Sequence, residues 1–206
     1  MDFVIRDYRP EDWPAICRVH DRSRPDELRG SFDARAFIPL DQDPEGEYIG
    51  ACTMFVAQQG DDVVGFAGID EPYLAWLYVD PAYYRRGVGR ALLRHCLARL
   101  SEDAWTLACG NNDAALSLYA SEGFVVESRF TGDNAGYKGP SARLALHPER
   151  QGWAKQKKSE ASAAKELANK RVNVARSAVP HDGRPRSSWR AAEAPIGADA
   201  EGRVQL

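Results

Sequence analysis

Between Tyr83 and Leu93 the chain reads YYRRGVGRALL, with three arginines around two glycines and an apolar segment beginning at once. That combination suits an anion. The first amides of a helix have no partner within it and lie at the positive end of its dipole, so phosphate oxygens find donors there. Glycine keeps side chains away from the point of closest approach. Arg85, Arg86 and Arg90 can then meet oxygens outside the cradle. A P-loop would need Gly-Lys-Ser/Thr at this place, and the chain has none. A dinucleotide fingerprint would need a third glycine where Leu92 stands, and an acidic ribose ligand about 20 residues on, where the chain offers Cys109.

A second stretch, NNDAALSLYASEGF, starts with two candidate N-caps, Asn111 and Asn112. It has Asp113 in the first turn and Gly123 just past the end, so it predicts a short helix. Asn112 and Tyr119 are seven residues apart, close to two helical turns, and share a face. From the spacing alone, a phenol there is either an acid or an aromatic packed against a sheet.

These stretches need a frame to hold them. DFVIRDY predicts a first strand and RPEDWPAICRVH a helix that starts near Pro10. The chain from Asp21 to Gly50 looks loop-rich, with a short helix at DARAFI. CTMFVAQQGDDVVGFAGI predicts a hairpin turning at QGDD, and YLAWLYVD a third strand of that group. After the glycine turn, Val88, Leu92, Leu93, Cys96, Leu97 and Leu100 fall on one helical face. AWTLAC, FVVESRF and SARLALH complete the strands. The order is mixed α/β: a central sheet with helices on both faces.

Both motifs together resemble a known family. LYVDPAYYRRGVGRALL is similar to the acyl-CoA pyrophosphate motif of the GNAT superfamily of N-acetyltransferases. NNDAALSLYASEGF is similar to that superfamily's Asn-x-x-Ala-x-x-Leu-Tyr-x-x-x-Gly-Phe motif at Asn112, Ala115, Leu118, Tyr119, Gly123 and Phe124. The resemblance covers roughly residues 2–147. It implies a mostly antiparallel sheet of six to seven strands, and acetyl-CoA as co-substrate with no metal. Backbone groups of Leu77, Tyr78 and Val79 would pair with the pantetheine arm. Arg85, Arg86, Gly87, Val88, Gly89 and Arg90 would hold the pyrophosphate, Asn112 would contact the arm, and Tyr119 would face the thioester sulfur. Tyr84 departs from the pattern, standing where Gln or Arg is usual.

Charge narrows the acceptor. Residues 1–80 carry 17 acidic and 7 basic residues, whereas 81–148 carry 6 and 8. Asp26, Glu27, Asp33, Asp41, Asp43, Glu45 and Glu47 crowd the region expected to form the acceptor wall, so we expect a cationic amine: a small molecule or a peptide N-terminus. The same charge disfavours nucleic acid. Residues 149–206 form a basic, Ala/Lys-rich tail with 12 basic and 7 acidic residues, read as partly helical (Trp153 to Ala178) or disordered. The domain is thus expected to span 1–148. The N-terminus is too charged for a secretory signal and no long apolar run exists, which makes the expected location cytoplasmic, as a monomer or homodimer. Cys17, Cys52, Cys96 and Cys109 lack metal or disulfide spacing.

Acetyl transfer needs a neutral amine, a positioned thioester carbonyl and a proton for the departing thiolate. Tyr119 supplies that proton, and the Val79 amide can polarise the carbonyl. The ribosomal-protein branch of the family has a glutamate before the Asn motif, but here that position is Leu107. Glu71 is the first candidate base, acting directly or through water, with Asp70 beside it. The alternative to an enzyme is a non-catalytic acyl-CoA-binding module whose tail engages a partner.

Overall fold

The computed structural model describes residues 3–147; the tail after 148, with the helix expected there, lies outside them. Seven strands form one sheet: β1 (Val4–Asp7), β2 (Thr53–Gln59), β3 (Asp62–Asp70), β4 (Tyr73–Val79), β5 (Trp105–Cys109), β6 (Phe124–Asn134) and β7 (Tyr137–Leu146). Their spatial order is β1-β2-β3-β4-β5-β7-β6. Every neighbouring pair is antiparallel except β4 and β5. Helices α1 (Trp13–Leu28), α2 (Val88–Leu97) and α3 (Asp113–Ser121) cover the two faces.

Two cores result, one on each face. Helix α2 places Val88, Leu92, Leu93, Cys96 and Leu97, with Leu100 just beyond, against Phe55, Val64 and Leu144. Burying one such leucine contributes about 1.5–3 kcal/mol. Helix α1 brings Ile16 and Val19 to Val56, Phe66 and Trp76 on the other face. Strand β4 serves both. Leu74 lies in the α2 core and Trp76 in the α1 core, although residues two apart in a regular strand share a face. The register with β3 slips between Gly68 and Ile69, which leaves Ala75 as an extra residue. This bulge re-aims the second half of β4.

Helix α1 is longer than its sequence pattern suggested. It continues through Pro25 to Leu28 instead of giving way to a loop after His20. Leu28 is buried, and Arg24 and Glu27 are fastened to Tyr78, so tertiary contacts outweigh the interior proline. DARAFI forms only a 3-10 turn, Ala34–Ala36. Strands β6 and β7 outrun FVVESRF and SARLALH and meet at a tight turn with left-handed backbone at Ala135 and Gly136. No helix among the described residues is long and apolar enough to cross a membrane.

Candidate active site

Strands β4 and β5 share a single ladder pair, Tyr73 with Trp105. Thr106 Oγ1 donates to the Leu74 carbonyl at 2.9 Å, and beyond it no ladder pair joins the strands. Leu77, Tyr78 and Val79 remain paired with β3 through Ala67, Phe66 and Gly65. Their edge toward β5 is left for another hydrogen-bonding chain. The sheet therefore parts at the end of β4 that leads into the glycine turn.

That turn is built for close approach. Asp80 is buried and caps it: Oδ1 accepts from the Ala82 amide at 2.9 Å, and Oδ2 accepts from Arg22 of α1 at 2.7 Å. Backbone φ is +60° at Arg85 and +83° at Gly87, the second of which starts α2 with no side-chain cap. The first-turn amides of α2 therefore have no side-chain cap and no acceptor within the helix. At Gly87 a side chain would have open space but a strained backbone. At Gly89 a Cβ would lie 3.5 Å from both Val79 and Leu118, joining α2, β4 and α3 at one point. Uncapped amides at a left-handed turn fit a pyrophosphate.

The structure brings Leu77, Val79, Val88 and Tyr119 into one cluster on the α2 face of the sheet. Tyr119 is only 6% exposed, its ring edge-on to Phe124 at 5.5 Å, and burial raises its phenol pKa well above the ordinary value. It therefore stays protonated at neutral pH. Asn112, not Asn111, caps α3, its Oδ1 accepting from the Ala115 amide at 3.1 Å. Asn111 instead ties α3 to Gly30. Of the arginines, Arg86 lies over the Tyr83 ring at 5.1 Å. The Arg90 side chain is paired with Glu122 at 3.1 Å. Tyr84 reaches toward Asp26 of α1.

Glu71 is elsewhere. It stands before β4, at the end remote from the glycine turn, and its Oε1 accepts from the Ser101 amide at 2.7 Å, beyond the C-terminus of α2. Asp70 accepts from Tyr48. At roughly 3.3 Å rise per strand residue, β4 from Tyr73 to Val79, with one bulged residue, sets Glu71 more than about 15 Å from Val79. The structure does not bring it to Tyr119.

Sequence reasoning placed Glu27 among the acidic residues of the acceptor wall but missed the polar group it forms on the α1 face. A cleft of about 90 Å³ opens there between α1, β4 and β5, and Leu107, Cys109, Tyr78 and Glu27 line it. Glu27 Oε2 accepts from the Tyr78 hydroxyl at 2.6 Å and from Arg24 at 2.7 Å. Burial pushes the Glu27 carboxyl upward, but Arg24 and these hydrogen bonds outweigh it and hold the pKa below the usual value. Cys109, its thiol pushed up to about 12 mainly by burial, lies 3.9 Å from Glu27 Oε1. A partial signal was present: with α1 extended to Leu28, Arg24 and Glu27 are one helical turn apart and fall on one side.

Against this geometry the comparisons agree. The model of the acetyltransferase (GNAT) domain matches residues 50–126. The chain is 31% identical over 101 residues to the uncharacterized N-acetyltransferase YafP of Escherichia coli, covering 48% of this chain and 67% of that protein. It is 39% identical over 90 residues to the N-alpha-acetyltransferase RimI of Mycobacterium tuberculosis, covering 39% and 53%. A GCN5-related N-acetyltransferase structure from Rhodopseudomonas palustris superposes with a TM-score of 0.61 at 22% identity, covering 71% of this chain and 96% of that one, a likeness of fold. The chain belongs to the GNAT family of N-acetyltransferases. The matched stretch spans about half to two thirds of these two relatives' own length.

Proposed function

We propose that this protein transfers the acetyl group of acetyl-CoA to the amine of a cationic small molecule or a peptide N-terminus. The observation that carries this reading is the uncapped, left-handed start of α2 beside the parting of β4 from β5. In it the amides from Arg85 to Arg90 hold the pyrophosphate, Leu77 to Val79 pair with the pantetheine arm, and Asn112 lies near the arm's reacting end. The Val79 amide polarises the thioester carbonyl. Tyr119, kept neutral by burial, gives its proton to the departing thiolate. Placing both reactants in one parting of the sheet makes the encounter effectively unimolecular.

The acceptor reading rests on the α1 face, where Glu27, Asp43, Tyr48 and Trp76 line the cleft. Carboxylates and aromatic faces both favour a cation. The test is direct. Acetyl-CoA should raise the melting temperature of the purified protein, and mixing it with amines should release free thiol. A melting shift with no thiol released on any amine would favour a binding module over an enzyme.

A further inference from the structure

Leu107 leaves β5 without a carboxylate at the parting, yet the cleft beside it holds one supplied by α1. The two oxygens of Glu27 differ in what they meet. Oε2 is held by the Tyr78 hydroxyl and Arg24 at 2.6 and 2.7 Å, whereas Oε1 accepts from the Cys109 thiol at 3.9 Å, a weak donor. The Glu27 side chain is 24% exposed, and Arg24 beside it only 10%. One oxygen fixes the carboxylate, and the other carries only a weak donor on a side chain that lines the cleft. Its neighbour Cys109 is the last residue of β5.

We propose that Glu27 Oε1 seats the ammonium group of the acceptor and takes its first proton. The inference rests on the acetyl-transfer reading above. The ammonium gives one proton to Glu27, and its nitrogen lone pair forms a C–N bond to the thioester carbonyl carbon while the C–S bond breaks. Tyr119 protonates the sulfur, and the second amine proton returns to the Tyr119 oxygen. Glu27 then releases its proton to solvent, leaving amide, free thiol and one proton. Arg24 and Tyr78 are positioning residues: they hold Oε2 so that Oε1 cannot turn away.

The groups facing Glu27 are Arg24 and His20 from α1, Tyr78 from β4, Cys109 from β5, and at longer range Tyr119 from α3 and Tyr84 from the glycine turn. Burial and its setting keep His20 mostly neutral at neutral pH, while the phenols and thiol stay protonated. Among these groups Glu27 is the carboxylate; Asp43 also lines the cleft, and Glu27 is the one seated against Tyr78 and Cys109 beside β5.

The test uses the full chain, acetyl-CoA, and three acceptors: benzylamine, a tripeptide amide with a free N-terminal alanine, and spermidine. With Glu27 as proton acceptor the reactive pair is carboxylate plus ammonium. The kcat/KM of the parent should then be flat from about pH 6 up to the pKa of the amine, about 10 for an alkylamine. In Glu27→Gln only neutral amine reacts, so kcat/KM should climb about tenfold per pH unit over that range and lie about 10²–10⁴ below the parent at pH 7. A retained acetyl-CoA melting shift establishes that the variant is folded. If Glu27→Gln does not fold, Tyr78→Phe serves instead. It removes a hydrogen bond that lowers the Glu27 pKa, so the acid-side fall of kcat/KM should move to higher pH. Parallel profiles for parent and Glu27→Gln, or an unmoved acid limb in Tyr78→Phe, overturn the role of Glu27 alone. A parent that shows the melting shift but acetylates none of the three amines overturns the transfer reading and this inference with it.

Discussion

On the α2 side of the parting the proposed cofactor wall is backbone: uncapped amides at a left-handed glycine turn, followed by the open edge of β4. On the α1 side the wall is side chain, with Tyr78 locked to Arg24 and Glu27, which lie 54 and 51 residues before it in the sequence. The first wall is local and tolerates exchange of the side chains that point away from it. The second exists only when α1, β4 and β5 are all in place. The two walls should therefore fail differently under mutation.

Gly89→Asp should give the largest effect. A Cβ fits, 3.5 Å from Val79 and Leu118, so the fold survives, but the added carboxylate stands among amides meant for phosphate. We expect the acetyl-CoA melting shift to disappear. In the parent that stabilisation should reach about 2.7 kcal/mol at a hundredfold excess over Kd. A shift of unchanged size in the variant would put the pyrophosphate elsewhere.

Tyr119→Phe comes next and separates binding from turnover. It removes only a hydroxyl, so acetyl-CoA affinity should hold while the rate drops by about 10²–10⁴. A rate within twofold of the parent would make Tyr119 a packing residue, with the thiolate protonated by water. Gly87→Ala belongs to the local wall and acts through the backbone. At φ +83° an alanine is strained by about 1–2 kcal/mol, so thermal or denaturant unfolding should register a loss of that order. No loss would mean that the turn relaxes into another conformation.

These contrasts also explain what could be read from sequence. The cofactor wall was legible because glycines, arginines and a helix start are contiguous, and α2's apolar face followed from its period. The α1 wall was not. A proline at 25 is an ordinary stop signal, and only the burial of Leu28 and the grip of Tyr78 on Glu27 carry the helix past it. Without that extension the acidic residues of this region read as a loop-borne acceptor wall, and Glu71 stands out as the candidate base. The β4 bulge was hidden for the same reason. Nothing local marks Ala75 as an extra residue; the slip belongs to the pairing with β3.

Glu71→Gln follows, with a small expected effect. The carboxylate caps the Ser101 amide beyond α2, so its loss removes one hydrogen bond to a charged acceptor at an exposed site. Such bonds contribute about 1.5–3 kcal/mol when formed to charged groups, and the amide of glutamine retains an acceptor oxygen. Stability should fall by less than that, with the pH–rate profile unchanged. A displaced rising limb in Glu71→Gln, and none in Glu27→Gln, would return the base to the far end of β4.

The smallest effect tests the boundary itself. All seven strands and three helices described here end by Leu146, whose amide is bonded to the Ala104 carbonyl at 2.8 Å, and His147 closes the edge on Gly123. Among the described residues, the two cores extend no further along the chain than Leu146. We propose that the domain ends near 148, so a chain cut after Pro148 should melt cooperatively and keep the acetyl-CoA shift of the parent. Neither wall takes a described residue from beyond it. The tail's excess of basic residues gives it one expected influence, a long-range attraction for the phosphates of acetyl-CoA that salt screens within about 10 Å at 0.1 M. Removing residues 149–206 should then weaken binding slightly at low salt and not at all near 0.5 M. An insoluble product, or one that melts without cooperativity, would show that residues beyond 148 complete a core and that the boundary lies further on.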